Sequence, residues 1–231
     1  MKTIGLIGGM SWESTAEYYR IINEAVKGKL GGSHSAKIVM YSVDFEEVRK
    51  CHLQGKWSEA TNLMIDAARK VERGGADFVL ICTNTMHKMA EDVQANINIP
   101  LLHIVDATAK KIIPFGFKKL GLLGSTFTME EDFYKGRLAE KYGLAVVIPN
   151  EADCQTLDNI IFNELCLGEI KDSSREQIKT IMKKLIANSA QGIILGCTEL
   201  PLLVKQEDCP VPLFDTTAIH AEAAVEYALK D

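Results

Sequence analysis

Cys197 is the residue of this sequence best placed to do chemistry. It follows the apolar run Ile193-Ile194-Leu195 and Gly196, and it precedes Thr198-Glu199, so it stands on a turn from strand to helix. In open α/β sheets ligands bind beyond the carboxyl ends of strands, where such turns lie. Backbone N–H groups at a helix start stabilise a thiolate and lower its pKa from an unperturbed value of about 8.5. The context therefore predicts a reactive thiol that can take or give a proton. A structural cysteine would sit within the strand or on a helix face.

The other five cysteines, Cys51, Cys82, Cys154, Cys166 and Cys209, form no CxxC pair, and no histidine stands at zinc-ligand spacing from any of the six. They are expected to be free, mostly buried thiols, and no metal is expected.

A second reactive position comes from an internal repeat. IGLIGGMSWESTAEYY from Ile4 lies beside LGLLGSTFTMEEDFYK from Leu120, with Gly5/Gly121, Gly8/Gly124 and Tyr18/Tyr134 coinciding at one offset. ADFVLICTNT from Ala76 matches AQGIILGCTE from Ala190, and PLLHIVDATA from Pro100 matches PLFDTTA from Pro212 with a small deletion. The second match sets Thr83 against Cys197 and Cys82 against Gly196. One residue earlier on a strand, Cys82 points the other way and reads as a core thiol.

The elements that must hold these turns alternate. Strand-like runs fall at 3–7, 37–42, 77–82, 101–104, 119–123, 144–148, 192–195 and 211–213, with helical patterns at 14–29, 56–74, 86–96, 129–142, 174–190 and 217–230. Ser173-x-x-Glu176 and Thr128-x-x-Glu131 have the spacing of capping boxes. This alternation predicts an α/β fold of two similar lobes, each a mostly parallel sheet flanked by helices. The first lobe would comprise 1–104 plus 216–231 and the second 105–215, with the active site in the cleft between them.

Composition limits the partners. Of 231 residues, 47% are hydrophobic, enough for a substantial core, and 26 basic against 31 acidic residues give a net charge of −5. Neither nucleic acid nor a membrane is an expected partner. The N-terminus lacks the pattern of a signal peptide and no apolar stretch approaches a bilayer span, so a cytoplasmic protein is expected.

GGMSWEST, CTNTMH and LGCTEL, together with the repeat, resemble the aspartate/glutamate racemase family over essentially the whole chain. That family's usual pattern has one cysteine before the Asn-Thr pair and another in the Gly-Cys-Thr-Glu motif, working on opposite faces of the α-carbon. Here Thr83 precedes Asn84-Thr85. This resembles the subgroup specific for L-aspartate and L-glutamate, in which threonine and cysteine form the catalytic pair, and the match extends through CTNTMHK, the segment 163–168, LGCTEL and FDTTAIHAE. The resemblance implies a racemase that needs no cofactor, neither pyridoxal phosphate nor metal, with an acidic amino acid as its small-molecule substrate and a homodimer as a possible assembly.

Thr83 and Cys197 differ as acids. An aliphatic hydroxyl is far weaker than a thiol, so Thr83 can donate a proton to a carbanion but is a poor unassisted base. The expected division makes Cys197 thiolate the base on the L-substrate and Thr83 the proton donor on the other face. Developing negative charge on the substrate carboxylate calls for donors. Asn84, Thr85 and Thr198, at helix starts, are candidates, and Met10 lines the pocket by resemblance. Arg49 and His52, three apart on one helix face, are candidates for an acidic side chain. In place of a lysine that the resemblance would put after an aromatic residue in the second lobe, Phe162 is followed by Glu164 and Cys166. His87, His103 and His220 read as packing or capping residues. Three alternatives stay open: a single-cysteine decarboxylase of malonate-type acids, a broad-specificity amino-acid racemase, and a non-catalytic amino-acid-binding module.

Overall fold

The computed structural model describes residues 1–230. The chain begins with β1 (Ile4–Gly8), α1 (Trp12–Leu30), β2 (Ile38–Ser42), α2 (Phe45–Leu53), α3 (Trp57–Arg73) and β3 (Phe78–Ile81), then a 3-10 turn (Thr85–Met89) and α4 (Ala90–Ala95). It continues through α5 (Ile104–Ile112), β4 (Lys119–Leu123), α6 (Thr126–Glu130), α7 (Asp132–Tyr142), β5 (Ala145–Val147), α8 (Glu151–Asn163), α9 (Asp172–Ala187), β6 (Ile193–Leu195), α10 (Leu200–Leu203), β7 (Leu213–Asp215) and α11 (Thr216–Leu229). Two compact units result, Met1–Ile104 with the chain from His220 onward, and Val105–Ile219. The chain thus leaves unit 1 at Ile104 and returns at His220, inside α11.

Each unit holds one parallel sheet, ordered β2-β1-β3 in unit 1 and β5-β4-β6-β7 in unit 2. The first strand of each unit is central. β1 is buried along its whole length, which is why it reads as a near-continuous apolar run rather than an alternating one. Its side chains still alternate: Ile4 and Leu6 face a core with Tyr18 and Ile22 of α1 and Ala221, Ala224 and Val225 of α11, while Ile7 faces Met64, Ala67, Ala68 and Val71 of α3. Each fully buried Leu or Ile contributes about 1.5–3 kcal/mol.

The glycines of the repeat keep equivalent jobs. A Cβ on Gly5 would stand 2.4 Å from Val71 of α3, and one on Gly121 would stand 3.0 Å from Leu185 of α9, so both let a helix close on the central strand. Tyr18 and Tyr134 are both fully buried.

Several local expectations shift. Of the run 101–104 only Leu101 pairs, bridging Val79, and Ile104 already begins α5. The last strand starts and ends two residues later than its apolar run, because Asp215 pairs in register with Leu195. The helix expected over 129–142 begins at Thr126 and is broken at Glu131, which is extended (φ −77°, ψ 152°). Neither capping box forms. Ser125 caps α6, accepting from the Thr128 N–H, so Thr128 lies inside the helix. α9 starts after Lys171, which puts Ser173 inside it as well.

Candidate active site

In unit 1 all three strands deliver their following loops to one edge of the sheet. After β1 the chain turns through Gly8-Gly9-Met10-Ser11 into α1. Gly9 has φ +92° and a Cβ there would sit 2.3 Å from the Val43 carbonyl oxygen, so no other residue fits. Thr15 Oγ1 ties the turn, accepting from the Gly9 N–H at 2.9 Å and donating to the Ser11 carbonyl at 2.7 Å. The two glycines therefore serve a tight strand-to-helix turn. Met10 is buried and packs in the core with Ile7, Met64 and Met86.

After β3 come Cys82, Thr83, Asn84 and Thr85. Cys82 is fully buried among Ile4, Leu6 and Tyr18, and burial pushes its thiol far up, so it is a core residue. Thr83 and Thr85 are partly exposed while Asn84 is buried. Asn84 opens the 3-10 turn without a side-chain capping bond to its backbone, so capping does not consume its amide. His87, in the same turn, binds the Thr83 carbonyl through Nδ1 at 2.8 Å.

After β2 comes α2 with Arg49 and His52. Asp44 caps this helix, accepting from the Glu46 N–H. Arg49 is half-exposed and only 3.9 Å from Glu46, a loose surface pair worth little energetically. His52 packs edge-on against Trp57 at 4.8 Å between ring centroids, and Lys88 places its ammonium 3.9 Å over the same indole. His52 is thus part of a stacked cluster, and Lys88 adds a cation close to the Thr83–Thr85 turn that the sequence reading passed over.

In unit 2 the loops after β4, β6 and β7 share the corresponding edge. Asp158 of α8 holds the first, accepting from the Thr126 N–H at 2.9 Å and the Thr126 hydroxyl at 2.5 Å. Cys197 lies in the second. Its thiol donates to Glu199 Oε2 at 2.9 Å, and the Thr198 hydroxyl donates to the same oxygen at 2.9 Å. Glu199 is 3% exposed.

This geometry corrects one expectation. The turn does not lower the thiol pKa; burial first, then the Glu199 carboxylate and the nearby Cys166, raise it well above the ordinary value. α10 is only four residues long, so its N-terminus offers little dipole against a carboxylate in hydrogen-bond contact. The resting pair is a thiol with a built-in proton acceptor. The signal was present in the sequence as a glutamate two residues after the cysteine.

Two further polar atoms at these edges had no sequence signal. Glu13 Oε2, in the first turn of α1, and Thr217 Oγ1, in the first turn of α11, are buried without a hydrogen-bond partner among the described residues. Buried polar atoms of this kind are rare in folded chains and suit the uptake of polar ligand groups. Among the described residues no group of three His, Cys, Asp or Glu side chains is arranged to hold a metal ion. No helix among them is long and apolar enough to cross a membrane.

Known proteins share this fold. A Yersinia pestis crystal structure, provisionally assigned as an Asp/Glu racemase, is 53% identical, with a TM-score of 0.92 over 100% of both chains. The structure of an aspartate racemase homologue from Pyrococcus horikoshii is 38% identical, with a TM-score of 0.86 over 100% of both chains. The broad specificity amino-acid racemase RacX of Bacillus subtilis is 26% identical over 96% of each chain. The profile of the Asp/Glu/Hydantoin racemase family matches residues 7–224. With that match running from the end of β1 into α11, the chain belongs to the Asp/Glu/hydantoin racemase family.

Proposed function

We propose that this chain is a cofactor-independent racemase of acidic amino acids that converts L-aspartate or L-glutamate to the D-form. The observation that carries the reading is the 2.9 Å bond from the Cys197 thiol to Glu199. As the α-proton of the L-substrate moves to the Cys197 sulfur, the thiol's own proton passes to the Glu199 carboxylate. The sulfur thus acts as a base without a standing thiolate. The Thr83 hydroxyl then protonates the opposite face of the carbanion and recovers its proton from water, while Glu199 returns its proton to solvent. No atom is gained or lost, and only the configuration changes.

Asn84 and Thr85, with the backbone N–H of Thr198 whose hydroxyl is already given to Glu199, supply hydrogen bonds to the substrate carboxylate as charge builds on it. Arg49, with Lys88 as a second cation on the same edge of unit 1, attracts the distal carboxylate. Because Thr83 is a poor base, turnover from the D-enantiomer should be much slower than from the L-enantiomer. The equilibrium between enantiomers cannot change, so the slow direction must show a compensating KM or stop at exchange without inversion.

A second reading, a racemase of broad specificity, is favoured by the loose tether of Arg49 at 3.9 Å from Glu46, which leaves the distal contact weakly organised. Proton NMR of L-aspartate, L-glutamate and L-alanine with the protein in D₂O tests both. Loss of the α-proton signal with appearance of the D-form for the acidic substrates alone supports the first reading. Equal rates for alanine support the second. Release of carbon dioxide from a substituted malonate without any α-exchange would replace both with a decarboxylase, and binding without exchange would leave only a binding module.

A further inference from the structure

We infer that His87 is a positioning residue for Thr83, holding the backbone from which the Thr83 hydroxyl reaches the substrate; this rests on the reading of Thr83 as proton donor. The argument begins with the tautomer. His87 Nε2 stands 3.2 Å from the Ile104 backbone nitrogen, whose N–H can only donate, so Nε2 is the unprotonated acceptor. The neutral ring then carries its proton on Nδ1, 2.8 Å from the Thr83 carbonyl, which can only accept. Two backbone groups thus select one tautomer and one ring orientation.

Neighbours hold the ring in place. His103 stacks against it at 4.6 Å, tilted 54°, and His220 meets it near edge-on at 5.7 Å. His220 is itself oriented: Nε2 donates to the Leu102 carbonyl at 2.8 Å, and Nδ1 accepts from the Tyr18 hydroxyl at 2.9 Å. Leu102 and Ile104 are among the last residues of unit 1 before the chain leaves it. One imidazole four residues beyond Thr83, and one on the helix that returns, therefore fix the exit segment and the Thr83 turn as a single polar assembly.

The consequence for Thr83 is specific. Anchoring its carbonyl fixes the peptide between Thr83 and Asn84, and a β-branched side chain has few χ1 choices on a fixed backbone. The hydroxyl is thereby limited to one or two directions. A misplacement of about 1 Å at a reacting group can cost on the order of 10²-fold in rate.

The test compares His87→Leu with His87→Gln in the intact protein; glutamine can still donate to one carbonyl and accept from one N–H. In D₂O, His87→Leu should lower kcat for formation of the D-enantiomer by at least about tenfold, with KM within about threefold. Exchange of the L-substrate's α-hydrogen through Cys197 should persist within about threefold, and His87→Gln should recover most of the loss. Equal loss of inversion and exchange, or no recovery in a folded His87→Gln variant, overturns the inference. If the wild-type protein exchanges no α-hydrogen of aspartate or glutamate, the racemase reading fails by itself. Nitrogen-15 NMR of the His87 ring then decides independently: a protonated Nδ1 with a bare Nε2 upholds the anchoring of Thr83, and the opposite tautomer overturns it.

Discussion

The turn after β3 and the turn after β6 hold the same place in the repeat, yet they hold the two proposed reactive groups in opposite ways. In unit 2 the preparation is electrostatic and acts on the side chain: Glu199 accepts directly from the Cys197 thiol. In unit 1 it is geometric and acts on the backbone: His87 binds the Thr83 carbonyl and not its hydroxyl. The difference follows from the groups. A thiol can be deprotonated at neutral pH if something receives its proton. A hydroxyl cannot, and is useful only where it is aimed. The wider composition follows the same division, since all five histidines lie in unit 1 and four of the six cysteines lie in unit 2.

The largest effect should come from Cys197→Ser, which removes the thiol and leaves Glu199 with a hydroxyl far too weak to act. Both α-exchange and racemisation of L-substrate should fall by about 10³-fold by proton NMR in D₂O. Full activity in this variant would end the assignment of the base to unit 2. Thr83→Val should be face-selective, cutting D-product formation by about 10²-fold while the exchange of L-substrate continues. Its counterpart, Thr83→Cys, should give both turns a thiol and raise turnover from the D-enantiomer; unchanged directionality in that variant would show that the asymmetry does not come from Thr83.

Glu199→Gln probes the electrostatic half. A carboxylate beside a buried thiol disfavours thiolate, so the neutral amide should lower the Cys197 pKa and speed its alkylation by iodoacetamide at pH 7. Turnover should nevertheless fall, because the proton acceptor is gone. Faster alkylation with undiminished turnover would reduce Glu199 to a bystander.

A last effect is on stability rather than turnover. Burial, then the neighbouring His87, lowers the His220 pKa to about 3 in the folded chain, against about 6.5 unfolded. Between those values the unfolded chain binds the extra proton, so stability is full above about pH 6.5 and is lost as pH falls towards 3, by up to about 1.4 kcal/mol per pH unit. Denaturant melts from pH 7 to 4 should show that slope, and His220→Gln should flatten it by about one proton. Since the histidines are confined to unit 1, amide exchange at pH 4 to 5 should rise there first; earlier opening of unit 2 would contradict the division.

Much of this was legible beforehand. β1, β4 and β6 announce themselves as apolar runs ending in glycine, and the repeat pairs Thr83 with Cys197 because both units reuse one strand–turn–helix plan. Less legible were the boundaries where short-range signals compete. Ser125 outcompetes Thr128 as a cap because it stands in the short turn that follows β4, and the run 101–104 loses its strand to a helix at Ile104. The pattern of Ser173-x-x-Glu176 is satisfied equally well inside a helix as at its start, which is why it misled.

The amino-acid sequence by itself determined the α/β alternation, the doubled plan and the pairing of Thr83 with Cys197 in the repeat, since each depends on residue type, periodicity and spacing along one chain. Only the tertiary structure decided their chemical state. That Cys197 rests as a thiol facing Glu199, that Cys82 is sealed in the core, and that His87 is tied by the Ile104 N–H and the Thr83 carbonyl all depend on burial and on directions of approach. Hydrogen bonds weaken steeply with angle, and desolvation depends on every surrounding atom, so neither can be read from spacing alone.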